Sequence, residues 1–210
     1  MTTVRIFYKK LDVAKYISHL DMQRCMQRAV KRAKLPVWYT EGFNPHPYIT
    51  FALPISLGIE SLCESFDIKL TEEIPLEKIA EEINKGCPIG VNVINVAVPV
   101  MKAKEIEFAS YDISFDDEGL KDEIEKILSE KSLMTEKKTK SGIKEIDIKP
   151  YIKEYKLADN KISIVLAAGN IININPGLVT DIIEERIGRK LSNIKTVRTG
   201  IYNKDLTEFR

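Results

Sequence analysis

The sequence predicts an α+β protein with antiparallel sheets, built as two successive β-α-β-β-α-β halves. Three observations lead there. Hydrophobic periodicity runs strand, helix, strand, strand, helix, strand, and then runs through that order again. Breakers fall where elements change: Pro36 closes the first helix, Pro75 and Pro176 open later ones, and Gly86 ends the second. A join near Met101–Ile106 separates residues 1–101 from residues 106–210. The alternative is one mixed α+β domain with a single extended sheet.

The elements follow in order. TVRIFYKK (3–10) alternates with period two and predicts a strand. Ser18 with Asp21 three residues on gives a helix start resembling a capping box, and the helix runs to about Lys34. VWYT (37–40) is a short extended piece, YITFAL (48–53) a second strand and ESFDIKLT (64–71) a third. A helix follows from Pro75 to about Gly86, and β-branched VNVINVAVPV (91–100) closes the half. The second half reads EFASYDISF (107–115) as strand, LKDEIEKILSEK (120–131) as helix and SLMTEKKT (132–139) as a polar, edge-like strand. After turn residues around Ser141–Gly142 and a passage rich in Tyr and Lys come the buried strand KISIVLAA (161–168), a helix over 176–187 and a last strand, NIKTVRTGIY (193–202). This is the order of two tandem ferredoxin-like units, each an antiparallel sheet covered by two helices.

The chain of 210 residues is 44% apolar and 30% charged, which is globular and not disordered. No run approaches the ~18 apolar residues a membrane helix needs, and MTTVRIFYKK lacks a signal-peptide core, so cytoplasmic residence is expected. Cys25, Cys63 and Cys87 stand far apart without a C-x-x-C, as reduced, mostly buried thiols do. The net charge of +1 hides segregation: residues 1–50 hold nine basic and three acidic side chains, residues 60–85 eight acids and three lysines, and residues 186–210 seven basic and two acidic. Such polarity fits a surface with distinct patches.

Helix 18–34 is the first informative feature. At about 100° per residue, Met22, Cys25, Met26, Ala29, Val30 and Ala33 share one side, and Arg24, Arg28, Lys31, Arg32 and Lys34 the other. Like charges on neighbouring turns disfavour a helix by a few tenths of a kcal/mol per pair, whereas a row of cations suits a phosphate backbone. The bland reading is a solvated amphipathic face. The second feature is GFNPHP (42–47), where Gly42 permits a turn and Pro45 and Pro47 stiffen the chain, fixing Phe43, His46 and Tyr48 beside the basic helix. Aromatics so placed are what base stacking on a single strand needs; the plain alternative is packing at a corner of the core.

His46 and His19 are the only histidines, and each is a weak candidate for a catalytic base, since no Ser or Cys nucleophile is tied to them by spacing. Two histidines without cysteine pairs make a poor zinc site, and neither a P-loop nor a G-x-G-x-x-G is present, so no metal or cofactor is expected. The acidic side chains Glu72, Glu73, Glu77, Glu81 and Glu82 form a solvated face or a docking surface for a basic partner.

The stretch Lys15–Ser61 resembles the radical-SAM-linked proteins, an uncharacterised bacterial family encoded beside, or fused to the C-terminus of, a radical SAM protein. The resemblance rests on Ser18-His19-Leu20-Asp21, on Arg28-Ala29 with Arg32-Ala33, and on Gly42-Phe43-Asn44-Pro45-His46-Pro47. It continues through Phe51-Ala52, Pro54-Ile55, Leu57-Gly58 and Glu60-Ser61 to Glu64 and Asp67, and is specific over residues 4–70. It implies association with a radical SAM enzyme. It does not imply radical SAM chemistry in this chain, because the C-x-x-x-C-x-x-C cluster motif is absent. At the level of fold, tandem ferredoxin-like units with a basic first helix are similar to the RAMP-type CRISPR repeat-processing proteins, which bind RNA and in some cases cleave it with a histidine. Their glycine-rich loop near the C-terminus has no counterpart in RTGIYNKDLTEFR.

The leading expectation is an RNA-binding or substrate-presenting accessory module without its own catalysis. It would use Arg24, Arg28, Lys31, Arg32, Phe43, His46 and Tyr48, with Arg186, Arg189, Lys190 and Lys195 as further cations. The alternatives are a protein-protein docking module for the radical SAM partner, through residues 60–85 or the Pro-rich loop, and a metal-independent endoribonuclease using His46 or His19.

Overall fold

The computed structural model describes residues 1–139, 142–169 and 171–210. The chain divides into two compact units: Met1–Glu105 with Glu208–Arg210, and Ile106–Thr207. The expected α+β class with antiparallel sheets is observed in both. Among the described residues no helix is long and apolar enough to cross a membrane.

The first unit contains β1 (Thr2–Lys10), α1 (His19–Arg32), β2 (Ile49–Phe51), β3 (Glu60–Leu70), α2 (Leu76–Asn84) and β4 (Val91–Ala97). β1 pairs antiparallel with both β3 and β4, and β2 pairs antiparallel with β3, giving the order β4-β1-β3-β2. Register decides which side is buried. Val4 lies opposite Ile68, Ile6 opposite Phe66, and Ile49 opposite Ile68. These side chains therefore project from one face and form a core with Met22, Met26, Ala29 and Val30 of α1 and Ile79 and Ile83 of α2. Each fully buried aliphatic side chain there stabilises the fold by about 1.5–3 kcal/mol relative to exposure. The two helices meet closely at Gly86, where a Cβ would come within 3.0 Å of the Ala29 Cα.

α1 begins as the sequence predicts. Ser18 is its N-cap, with Oγ accepting from the Asp21 backbone N–H at 3.2 Å and donating to the Asp21 carboxylate at 2.7 Å. The helix ends two residues early, because Lys34 turns left-handed at φ 51° ahead of Pro36. β3 begins four residues earlier than expected, at Glu60. Its added positions include buried Glu60 and Ser61, so hydrophobic alternation could not mark them. β2 is three residues long between Pro47 and Pro54, shorter than the predicted 48–53.

The second unit contains β5 (Phe108–Ser114), α3 (Lys121–Ser129), β6 (Met134–Thr139), β7 (Gly142–Asp147), β8 (Ile152–Ala158), β9 (Lys161–Ala167), α4 (Gly177–Ile187) and β10 (Lys195–Tyr202). Its sheet runs β10-β5-β9-β8, antiparallel throughout. The polar segment expected as this sheet's second strand, 132–139, forms β6 instead and pairs only with β7 as a separate hairpin. Its place is taken by β8, from the Tyr/Lys passage. That strand is half-exposed at the sheet edge, where lysines are at home and apolar alternation is weak. Of the turn expected at Ser141–Gly142, Ser141 lies outside the described residues, and Gly142 opens β7. With the hairpin set aside, the second unit has the strand order of the first: last, first, third, second.

Candidate nucleic-acid interface

α1 separates its side chains as the periodicity predicts. Met22, Met26, Ala29 and Val30 are buried, Cys25 and Ala33 half-buried, and Arg24, Arg28, Lys31, Arg32 and Lys34 exposed. Asp21 is the one acid on that outer face, 3.1 Å from the Arg24 guanidinium. The Ser18 hydroxyl, followed by the Arg24 hydrogen bond and charge, holds the Asp21 carboxyl below its ordinary range. The Arg28 Nε donates to the Arg24 carbonyl at 3.2 Å, which holds that side chain back along the helix.

The chain after α1 crosses the sheet edge and turns back. Trp38 N–H donates to the Lys69 carbonyl at 2.8 Å, and Tyr48 N–H to the Trp38 carbonyl at 3.1 Å. The Glu41–Pro45 tip is closed by Thr40 and His46. Thr40 N–H donates to the His46 carbonyl at 2.9 Å, His46 N–H donates to Thr40 Oγ1 at 3.2 Å, and the His46 ring Nδ1 lies 3.0 Å from the Asn44 carbonyl. Gly42 takes φ 118°, which a side chain resists. Phe43 at the tip is fully exposed, His46 is exposed and Tyr48 is 40% exposed. Pro47 is buried and anchors the base.

Alternation across the sheet joins this loop to a second surface. Leu70 and Ile68 face the helices, so Lys69 faces away, as does Tyr48 next to core-facing Ile49 and Trp38 next to core-facing Val37. There the Trp38 and Tyr48 rings meet at 5.1 Å and 61°, with the Lys69 ammonium 5.0 Å from one ring centre and 5.5 Å from the other. Sequence reading passed over Trp38 and Lys69. Their signal was only a Trp in a short extended segment, and the pairing that gathers them lies far apart in sequence.

The two histidines have separate surroundings. His46 belongs to the loop, while the exposed His19 ring packs edge-on against Phe51 at 5.2 Å. At about 100° per residue, His19 lies roughly 140° around α1 from Arg24, on the side of Met22. Behind it is a small cavity of about 10 Å³ lined by Tyr8, Lys10, His19, Met22, Phe51, Pro54, Ile55 and Glu64. Lys10 and Glu64 are 2% and 3% exposed, and the Lys10 ammonium donates to the Ile17 carbonyl at 2.8 Å. This polar layer inside the helix-sheet core also escaped the sequence reading, because buried ions look like surface residues in a hydropathy pattern.

The acidic stretch 60–85 divides. Glu60 and Glu64 are buried, and Asp67 forms a two-pronged ion pair with Arg5 at 2.8 and 2.9 Å. Arg5, 1% exposed, also donates to the Met101 and Arg210 carbonyls and lies 4.2 Å from the Phe209 ring centre, so it fastens the chain's last residues to the first unit. Glu72, Glu73, Glu77 and Glu81 remain exposed, with Lys85 paired to Glu81 and Glu82. Among the further cations, Arg186 pairs with Glu130, Arg189 with Asp117 and Lys190 with Glu184, all inside the second unit. Cys87 is pushed up to about 11 by burial and, secondarily, by neighbouring Cys25, which makes it a poor nucleophile. Among the described residues no group of three or more His, Cys, Asp or Glu is placed to hold a metal ion.

Residues 3–176 match the model of a family described as an uncharacterized protein conserved in bacteria, DUF2344. The chain belongs to that family. No curated protein matches the chain. The family match covers the whole candidate surface, from β1 through Lys69, together with most of the second unit.

Proposed function

We propose that the first unit is an RNA-binding or substrate-presenting module, accessory to a radical SAM enzyme and without its own catalysis. The observation that carries this reading is Phe43, fully exposed at the tip of a loop held closed by Thr40 and His46, in the connection that leaves a helix with a row of exposed cations. Core packing accounts for neither feature. An aromatic ring displayed on a stiffened loop offers a face for a base to stack on, and guanidinium and ammonium groups in a row match phosphates. The radical SAM association rests on the resemblance of the Ser18–Asp21 and Gly42–Pro47 motifs. The same reading treats residues 1–101 and 106–210 as tandem ferredoxin-like halves, supported by the shared strand order.

Fluorescence anisotropy with a labelled single-stranded oligoribonucleotide tests the binding. Affinity is expected to fall steeply as salt rises, and Arg24→Ala with Arg28→Ala to lower the slope of log affinity against log salt by about 2. Absence of binding at low salt, or indifference to the double substitution, overturns the RNA reading. Co-purification with a radical SAM protein encoded beside this one tests the accessory role.

A further inference from the structure

We infer that Trp38, Tyr48 and Lys69 form a platform, on the sheet face turned away from α1, on which unpaired RNA bases stack. The inference rests on the RNA-binding reading and names the ligand chemistry of the sheet face beside the loop. Trp38 and Tyr48 stand outside the hydrophobic core that holds the neighbouring Val37 and Ile49. Their backbones are pinned to β3 and to each other, so the 5.1 Å ring pair is held in place before any ligand arrives. Aromatic rings on a sheet face attract any base through its π-face without reading its identity.

Lys69 gives the platform its charge preference. Its ammonium lies 5.0 and 5.5 Å from the two ring centres, in a half-buried cation-π contact of about the same size as, or smaller than, base stacking. An arriving base displaces the flexible lysine, which then reaches the phosphate of the same nucleotide. A protein partner rich in acids would satisfy Lys69 but leave the rings unused, and a duplex would present phosphates with its bases already stacked. The combination favours a single strand.

Trp38 is the only tryptophan in the chain, so its fluorescence reports on the platform directly. Titration with a single-stranded oligoribonucleotide should quench it to saturation. An abasic strand of equal length should bind at low salt without quenching. Tyr48→Leu, which keeps an apolar neighbour for Trp38, should lower affinity for the single strand about tenfold. Binding seen by anisotropy with Trp38 fluorescence unchanged, equal quenching by the abasic strand, or unaltered affinity in Tyr48→Leu overturns the platform and leaves the RNA reading standing. Absence of binding by either method removes both.

Discussion

The two units share an order of strands and differ in what they insert at the same point. Between its first helix and second strand, the first unit places the Glu41–Pro47 loop, closed by Thr40 and His46 and ending in exposed Phe43. Between α3 and β8, the second places the β6-β7 hairpin, whose base is closed by Asp147 accepting from Leu133 N–H at 2.7 Å and Lys149 N–H at 3.0 Å. The hairpin and α4 line a groove carrying Glu136, Glu145, Asp181 and Glu185 beside Arg186. One insertion is aromatic and follows a cationic helix, and the other borders acids. A common scaffold leaves this connection open to variation because it runs outside the paired strands and the core.

If the scaffold is common, its tight points should be the most sensitive. Gly90 has φ 82°, and a Cβ there would collide with the Leu11 carbonyl; at Gly169 a Cβ would collide with the Ile106 carbonyl. Both neighbours are backbone and cannot swing aside. Gly90→Ala is expected to destabilise by about 3 kcal/mol or more, combining overpacking with a left-handed backbone, and Gly169→Ala by about 2 kcal/mol. Urea unfolding followed by circular dichroism measures both. Tolerance of either substitution would show that the close approach is not a constraint on that unit.

This division also sorts what the sequence could reveal. α1 was legible because its N-cap, apolar stripe and stop are local signals within 19 residues, and all were found. The β6-β7 hairpin and β8 were not, because the choice between three polar strands is made by pairing partners distant in sequence. At the candidate surface, Phe43, His46 and Tyr48 were marked by prolines and glycine around them. Trp38 and Lys69 joined them only through the register of β3, and Lys10 and Glu64 were hidden by being charged.

The insertions should respond to change more gently than the scaffold. Gly42→Ala meets no neighbour within 4 Å, so its effect is torsional, from φ 118°. A loss of about 1–2 kcal/mol is expected, read as a lower melting temperature, with weaker RNA binding as the loop tip is re-aimed. The second unit's staple differs in kind, being a carboxylate. The Leu133 N–H, then the Lys149 N–H, hold the Asp147 carboxyl below its ordinary value. A folded-state value that is depressed gives stability present above the unfolded value, about 3.9, and lost as pH falls through the folded one. Asp147→Asn should therefore lessen the decline in stability below about pH 4, with Asp21 and Asp117 retaining part of it since both are lowered in the same direction. An unchanged acid limb in urea titrations between pH 2 and 5 would show that Asp147 does not hold the hairpin base.

The smallest expected change in stability belongs to the charge row on which the proposed RNA binding draws. Arg24 and Arg28 are exposed, and Arg24 contacts Asp21 across one turn in open solvent. Such a pair contributes between 0 and about 1 kcal/mol. Against it stands the mutual repulsion of Arg24, Arg28, Lys31 and Arg32 on neighbouring turns, a few tenths of a kcal/mol per pair. The opposing effects are of similar size, so Arg24→Ala with Arg28→Ala should leave the unfolding free energy within about 0.5 kcal/mol of the parent. Alanine's higher helix propensity nudges the result towards a gain. A loss of several kcal/mol would mean the arginines serve the fold, and the charge row would then need no ligand to explain it. Unchanged stability with a diminished salt dependence of RNA binding would place the row on the functional side of the comparison, with the loop and apart from the scaffold.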